Sequence, residues 1–394
     1  MLNSWDNFIY KQTLQINNRR ALLLRMPLMN GWTLVENKSY LDFQNNDYLG
    51  LSHHHQLIAR LQTAADNYGV GSTGAPTLGG YTQEHQRLTQ ELAQWLNYQQ
   101  CLIFNSGYQM NVSIFSALTD MNTQIWLDRN CHASHIDGVL LSKAKFTRFD
   151  SHNICEMRQK IQSSDKRQLI ISEGCYSMDG SNSGLLELIK LKKLMPDKIL
   201  LIIDDAHGLA TLGNDGRGSL EQLVGNHQYC DILLGTFGKA FGSHGGFLCT
   251  TQLIADYLRH TVRSQIFSTS LPPAIIAASR AALQIIRGSL GKQLRAKLKH
   301  NVEYFKACAA NQGLNLYSAQ QNNSPIQLIT FNDSQSMEIV YNKLFNNNIL
   351  VGKIKHPTVP KNSPRIRISL STNHSETNIE LLIRQLATAI NLIS

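Results

Sequence analysis

None of the seven cysteines (Cys101, Cys131, Cys155, Cys175, Cys230, Cys249 and Cys308) stands in a C-x-x-C pair, and their number is odd. A disulfide framework and a zinc ribbon are thereby excluded, and a reducing compartment fits. No apolar stretch nears the about 18 residues that a membrane span requires. Residues 1–15 mix Asn, Asp, Lys and Gln with their apolar positions, so no secretory signal is expected there. Basic residues never run beyond a pair, as at Arg19-Arg20 and Lys192-Lys193, and none form a patch interleaved with aromatics. That argues against a binder of single-stranded nucleic acid. Internal repeats are missing too, and the Asn-rich stretches 320–323 and 346–348 are only loop-sized. The expectation is a cytoplasmic protein with neither nucleic acid nor membrane as partner.

What is present is globular: 42% hydrophobic and 16% charged residues over 394 positions, enough chain for two or three domains and a deep pocket. Lys and Arg total 37 against 28 Asp and Glu, and this +9 balance attracts phosphates, carboxylates and anionic coenzymes. Short apolar runs recur at 101–104, 124–127, 145–149, 169–172, 199–203, 232–234 and 246–249. The first six begin about one βαβ unit apart, and several are apolar throughout, as strands covered on both faces should be. They predict an α/β fold with a mainly parallel seven-stranded sheet flanked by helices. The last two runs are too close for a crossover helix, so one antiparallel neighbour is expected. Before the sheet lie an amphipathic stretch near 4–24, a short strand at 40–43, a turn at 45–50 and a glycine-rich segment at 68–80. After it come helices near 271–286 and 293–312, strands at 326–331, 349–351 and 365–369, and a closing helix from Glu376. The chain therefore divides into an N-terminal segment 1–45, a large domain 46–270 and a smaller α+β domain 271–394.

Ligands of open α/β sheets bind beyond the carboxyl ends of the strands. Three such ends are unusually polar: Asp204-Asp205-Ala206-His207-Gly208, the stretch 235–242 with Thr236 and Lys239, and the stretch 173–180 with Glu173 and Ser177. A carboxylate at a buried strand end is costly without a cation. Pyridoxal phosphate meets the whole set, because its pyridinium pairs with an Asp, its aldehyde condenses with a Lys, and its phosphate takes hydroxyls and backbone N–H groups. Asp204, Lys239 and Thr236 are the candidates. Residues 105–111, with Gly107, follow a strand and open a helix, which makes a phosphate cradle. His132, after another strand, is placed to stack on a ring. Taken singly, a lone Lys is usually a solvated residue and a strand-end Asp usually a helix cap; only their joint placement points to a site.

Three lookalikes carry less. Gly69-Val70-Gly71-Ser72-Thr73-Gly74 satisfies G-x-G-x-x-G but follows a helical pattern instead of a strand, so a substrate-channel loop is the better reading. His53-His54-His55 points its side chains apart and reads as a solvated turn. The cluster 204–207 also admits metal ligands, an alternative the sequence leaves open, although no metal is assigned.

Asn45-Asn46-Asp47-Tyr48-Leu49-Gly50-Leu51, Cys131-His132-Ala133-Ser134, the stretches 173–180, 204–208 and 236–242, and Phe267-Ser268-Thr269-Ser270 occur in that order. Together, over about residues 40–371, the chain resembles the α-oxoamine synthases, a family of fold-type I pyridoxal-phosphate transferases. Phe149-Asp150-Ser151-His152-Asn153 and Pro357-Thr358-Val359-Pro360 are most similar to the branch serving biotin biosynthesis. That branch joins L-alanine to a pimeloyl thioester, on coenzyme A or acyl carrier protein, with loss of carbon dioxide. The resemblance implies Lys239 as the lysine that binds the aldehyde, Asp204 as the pyridinium partner, and His207 on the phenolic oxygen. It places His132 on the ring and at the thioester oxygen, and Gly107, Tyr108, Ser177 and Thr236 around ring and phosphate. Ser268 and Thr269 would reach the phosphate of the other subunit of a homodimer. Arg367 would grip the amino-acid carboxylate, Asn46 and Thr358 would touch substrate, and Arg20 is favoured over Arg19 and Arg25 for the acyl substrate. The alternatives are a sister acyltransferase using glycine and acetyl-CoA, a non-catalytic scaffold, and an NAD-linked oxidoreductase built on 69–74.

Overall fold

The computed structural model describes residues 3–14, 22–182, 184–317, 323–356 and 358–393. Its strands are β1 (Arg25–Pro27), β2 (Trp32–Val35), β3 (Lys38–Phe43), β4 (Gln100–Phe104), β5 (Thr123–Asp128), β6 (Lys145–Phe149), β7 (Arg167–Glu173), β8 (Ile199–Asp204), β9 (Ile232–Thr236), β10 (Gly246–Thr250), β11 (Ile326–Thr330), β12 (Ile349–Ile354) and β13 (Arg365–Ser369). Seven of them form one sheet in the order β4-β10-β9-β8-β7-β5-β6. The pairs among β9, β8, β7, β5 and β6 are parallel. Strand β10 runs antiparallel to both its neighbours, because the link from β9 is too short to hold a crossover helix. All seven strands lie where the apolar runs place them.

Residues alternate between the two faces of this sheet. Ile202 joins Leu102, Ile125, Ile171 and Leu234 in one core, while Leu201 and Ile203 join Trp126, Ile170, Leu233 and Phe247 in the other. Edge strand β6 is exposed at Lys145, Phe146, Thr147 and Arg148, and its two charges discourage pairing with a further strand. Helix Pro273–Arg287 buries Ile276, Ala282, Leu283 and Ile286 and packs on helices His55–Tyr68 and Gln83–Leu96. The amphipathic stretch near 4–24 forms helix Ser4–Leu14; residues 15–21 fall outside the described residues, and 22–24 are not helical but lead into β1. Helix Ser334–Asn346 was not foreseen from the sequence.

The second sheet has the order β1-β2-β3-β12-β13-β11. Its two halves are distant in the chain and meet at the parallel pair β3–β12, with Leu41 opposite Ile349. His374 braces this junction: Nδ1 accepts from Ser371 N at 3.1 Å, Nε2 donates to Asp42 O at 3.0 Å, and the ring lies 4.0 Å from that of Phe43. Only the neutral ring satisfies both partners, and burial holds its pKa down at about 4. The folded protein thus resists a proton that the unfolded chain accepts at about 6.5, so this residue's contribution is whole above that pH and is lost as pH falls from about 6.5 to about 4. The urea midpoint should drop across this window, and His374→Gln should show a shallower drop, a loss on the order of 3 kcal/mol being the upper bound for one such ring.

Candidate active site

The structure brings Gly107, Tyr108, His132, Ser177, Asp204, His207, Thr236 and Lys239 around one pocket of about 170 Å³, beyond the carboxyl ends of β4, β5, β7, β8 and β9. Asn111, Ser134 and Glu173 line it as well. The polar residues at the ends of β5, β7, β8 and β9 converge because these strands are parallel neighbours in register, with Glu173 opposite Asp204 and Ile171 opposite Ile202, while β4 joins the sheet through the antiparallel β10.

Asp204 sits at the base of the pocket. Its Oδ2 accepts from Asn111 Nδ2 at 2.9 Å and lies 3.2 Å from His135 Nε2, and its Oδ1 accepts from Ala206 N at 3.1 Å. Burial pushes this carboxyl up, but His135, Lys239 and Asn111 together outweigh it and hold the group below the ordinary carboxylate range. Asp205 faces elsewhere: it accepts from Ser219 N at 2.6 Å and Ser219 Oγ at 2.7 Å, and burial raises it to about 6. The side chains of 204 and 205 therefore diverge, which separates the pair that a metal reading of 204–207 would need together.

Lys239 is half-buried, and its Nζ makes no hydrogen bond or ion pair among the described residues. Burial lowers its pKa, against the upward pull of Asp204 and Glu173. Glu173 moves the other way, raised first by burial and then by Asp204; its Oε1 accepts from His132 N at 2.6 Å and its Oε2 from Ser177 N at 3.3 Å. His132 stands at the rim, its ring edge-on to Tyr108 with centroids 6.4 Å apart, and desolvation by the pocket walls lowers its pKa.

On the side facing the second sheet, four side chains form a chain. Arg367 Nη2 donates to Asn46 Oδ1 at 3.0 Å and to Tyr48 OH at 3.2 Å, and Tyr48 OH meets His207 Nδ1 at 2.7 Å. Arg367 Nε is buried with no partner. Burial raises the Tyr48 phenol and lowers His207. The sequence points to Asn46, His207 and Arg367 but not to Tyr48, Asn111, Ser134 or His135, although Tyr48, Asn111 and Ser134 lie in the same segments as Asn46, Gly107 and His132.

The pocket fits pyridoxal phosphate on chemical grounds. It holds an uncommitted amine, a carboxyl held below the ordinary carboxylate range and the opening turn of helix Gly107–Leu118, and beyond His207 and Tyr48 lies a buried guanidinium nitrogen without a partner. A Cβ built on Gly107 would meet only Thr236 Cβ, at 3.9 Å, so this turn is open to a ligand. Thr236 Oγ1 currently donates to Gly245 O at 2.8 Å.

Other predicted residues lie apart. Ser268 and Thr269 border a neighbouring cavity of about 380 Å³, with Ser268 Oγ accepting from Asn105 Nδ2 at 2.9 Å and from Gln109 Nε2 at 3.2 Å, and Thr269 O from Asn105 Nδ2 at 2.8 Å. Thr358 is exposed and its N–H donates to Lys355 O at 3.1 Å. Arg20 lies outside the described residues. The segment 69–74 follows helix His55–Tyr68, not a strand, and His54 caps that helix by accepting from Gln56 N at 3.3 Å. Ligand atoms of Cys131, His135 and Glu173 lie within 4.8 Å of one another, but the Glu173 oxygens are already given to the two backbone N–H groups.

Fold and pocket define a class: residues 38–386 match the family model for aminotransferase class I and II. Within it, the chain is 36% identical to an 8-amino-7-oxononanoate synthase of Marinomonas sp. over 92% of its length and 89% of the relative's. It is 34% identical to the one from Cellvibrio japonicus, over 96% and 93%. A solved 8-amino-7-oxononanoate synthase from Francisella tularensis is 32% identical and superposes with a TM-score of 0.76 over 90% of this chain and 98% of that one. A serine palmitoyltransferase from Sphingomonas wittichii is 25% identical, with a TM-score of 0.90 over 100% and 98%. The chain belongs to the α-oxoamine synthase family of fold-type I pyridoxal-phosphate enzymes. Among the described residues, no helix is long and apolar enough to cross a membrane.

Proposed function

We propose that the protein condenses L-alanine with a pimeloyl thioester, releasing carbon dioxide and the free thiol carrier and forming 8-amino-7-oxononanoate for biotin. The observation that carries this reading is the convergence of Lys239, Asp204, His207 and His132 on one pocket in a chain whose relatives bear that enzyme's name. Pyridoxal phosphate, when bound, supplies a ring that accepts the electron pair left by a bond broken at the amino-acid α-carbon. Asp204 would hold the ring nitrogen and Lys239 the aldehyde carbon. Thr236, Ser177, Tyr108 and the N–H groups at Gly107 would hold ring and phosphate, and His207, supported by Tyr48, the phenolic oxygen. The lowered pKa of Lys239 leaves more of its amine unprotonated near neutral pH, as removal of the alanine α-proton requires. His132 stands at the rim where it can donate to the thioester oxygen as charge develops there.

Arg367 would take the alanine carboxylate, its buried Nε providing the second arm of a bidentate contact. Arg367→Lys, which keeps the charge and loses the fork, should raise the KM for alanine by about tenfold with little change in the KM for pimeloyl-CoA; steady-state kinetics with each substrate varied checks it. We infer a cytoplasmic homodimer, with Thr358 and Arg20 contacting substrate. Helix Ser4–Leu14 buries none of its residues and exposes Trp5, Phe8, Ile9 and Leu14, and Ser268 and Thr269 line a cavity other than their own chain's pocket. The +9 charge suits an anionic acyl carrier, coenzyme A or acyl carrier protein. Thiol release tests the reading: L-alanine with pimeloyl-CoA should exceed glycine with acetyl-CoA, and the reverse preference would refute it.

A further inference from the structure

The side chain of His132 is held by a short relay that ends on Asp204. His132 caps helix Ala133–Leu141, its Nδ1 accepting from Ser134 N at 3.2 Å. A backbone N–H can only donate, so Nδ1 carries no proton. Ser134 Oγ also lies 2.8 Å from Nδ1, and it accepts from Asn111 Nδ2 at 3.1 Å. The hydroxyl proton is therefore the one directed to Nδ1. The other hydrogen of Asn111 Nδ2 goes to Asp204 Oδ2 at 2.9 Å. This amide orientation is forced, because the flipped amide would set its oxygen against the Asp204 carboxylate.

The relay is built deep in the protein: Ser134 is fully buried and Asn111 only 3% exposed. It exists because helices Gly107–Leu118 and Ala133–Leu141 touch at Gly138. A Cβ there would stand 2.4 Å from Asn111 O and 2.7 Å from the Phe115 ring. A larger residue at 138 would press on the backbone of Asn111 and Val112 and on the Phe115 ring.

We propose that Ser134 and Asn111 are positioning residues that lock His132 as the neutral Nε2–H tautomer and couple its orientation to Asp204 at the base of the pocket. Nε2 makes no hydrogen bond among the described residues, so the one proton on the ring is free for a ligand oxygen. The inference rests on the proposed role of His132 as donor to the thioester carbonyl: an Nδ1–H tautomer would present a lone pair to that oxygen and repel it. The other groups facing the ring act as charges. Asp204 and Asp137 favour its protonation, while His135 and Lys239 oppose it. From His132 the Glu173 carboxyl takes the main-chain N–H, not the ring.

The test is ¹⁵N NMR of the holoenzyme labelled at histidine, with the His132 signal assigned by its loss in His132→Asn. The native ring should show an unprotonated Nδ1 and a protonated Nε2 at pH 8. Ser134→Ala removes one of the two donors on Nδ1, so the His132 pKa should rise by about 0.5–1 unit, with the acidic limb of kcat/KM for pimeloyl-CoA moving up in step. Ser134→Thr keeps the hydroxyl and should restore both. A protonated Nδ1 in the native protein overturns the proposal even if no variant folds, and so does an unchanged His132 pKa in Ser134→Ala. Thiol release by the native enzyme reports on the condensation reading alone, so the two fail separately.

Discussion

Lys239→Ala is expected to lower thiol release from pimeloyl-CoA and L-alanine by on the order of 10²–10⁴-fold. Among the described residues Lys239 contributes the only side-chain amine lining the pocket, and no neighbouring group replaces it: Glu173 is raised by burial and by Asp204, and His132 is lowered. In the variant the cation that opposed the Glu173 shift is gone, so that carboxyl binds its proton still more firmly. The sheet does not depend on this side chain, which lies beyond β9, so the variant should fold and still bind pyridoxal phosphate reversibly. Borohydride reduction followed by intact mass measurement separates the two forms: native protein should retain the cofactor's mass and the variant should not. Small primary amines added to the variant should restore part of the rate. A variant that keeps a tenth of native turnover without them would remove Lys239 from the chemistry.

The large sheet was legible because parallel strands covered on both faces must be apolar nearly throughout. Runs such as 199–203 and 232–234 declare themselves without help from tertiary structure. The antiparallel entry of β10 was legible for a different reason, since chain length alone excluded a crossover. The join of β3 to β12 was not: pairing across some three hundred residues leaves no local mark, and each strand reads equally well as the edge of a separate unit. Helix Ser334–Asn346 escaped notice because its Ser, Asn and Gln content masks the apolar positions Met337, Val340 and Leu344 that it buries.

The site shows the same division. Strand ends told where Asp204, Thr236 and Lys239 would meet, because ladder register carries sequence position directly into space. Asn111 and Ser134 were passed over because their partners lie on another helix or strand, and nothing in either string states how closely two helices approach. Gly138 was the available signal, a glycine inside a helix with no turn to explain it. Tyr48 was hidden likewise, since a buried hydroxyl needs a partner, but the sequence cannot say that His207 and Arg367 supply it.

Asp204 and Asp205 are adjacent, both buried, and should answer to amidation in opposite ways. Asp204 is held ionised by His135, Lys239 and Asn111 against its burial, an arrangement that serves a cation placed in the pocket. Asp204→Asn sets an amide against the Asn111 donor and removes the negative charge that Asp204 holds at the pocket base. Breaking one partner of such a buried pair costs about 3–5 kcal/mol. Turnover should therefore fall on the order of 10²-fold or more, with weaker pyridoxal phosphate binding in an absorbance titration. Asp205 is raised to about 6 by burial, and its oxygens serve Ser219 at the start of helix Ser219–Val224. A folded-state pKa above the ordinary 3.8 means that ionisation opposes folding, so its contribution is largest at low pH and declines as pH rises from about 3.8 to about 6. Asp205→Asn should therefore flatten stability against pH across that window, measured by urea unfolding, while turnover per folded molecule stays within a few-fold of native. If the two variants lost turnover equally, the pocket would not be distinguishing one carboxylate from the other, and the assignment of Asp204 to the cofactor nitrogen would fail.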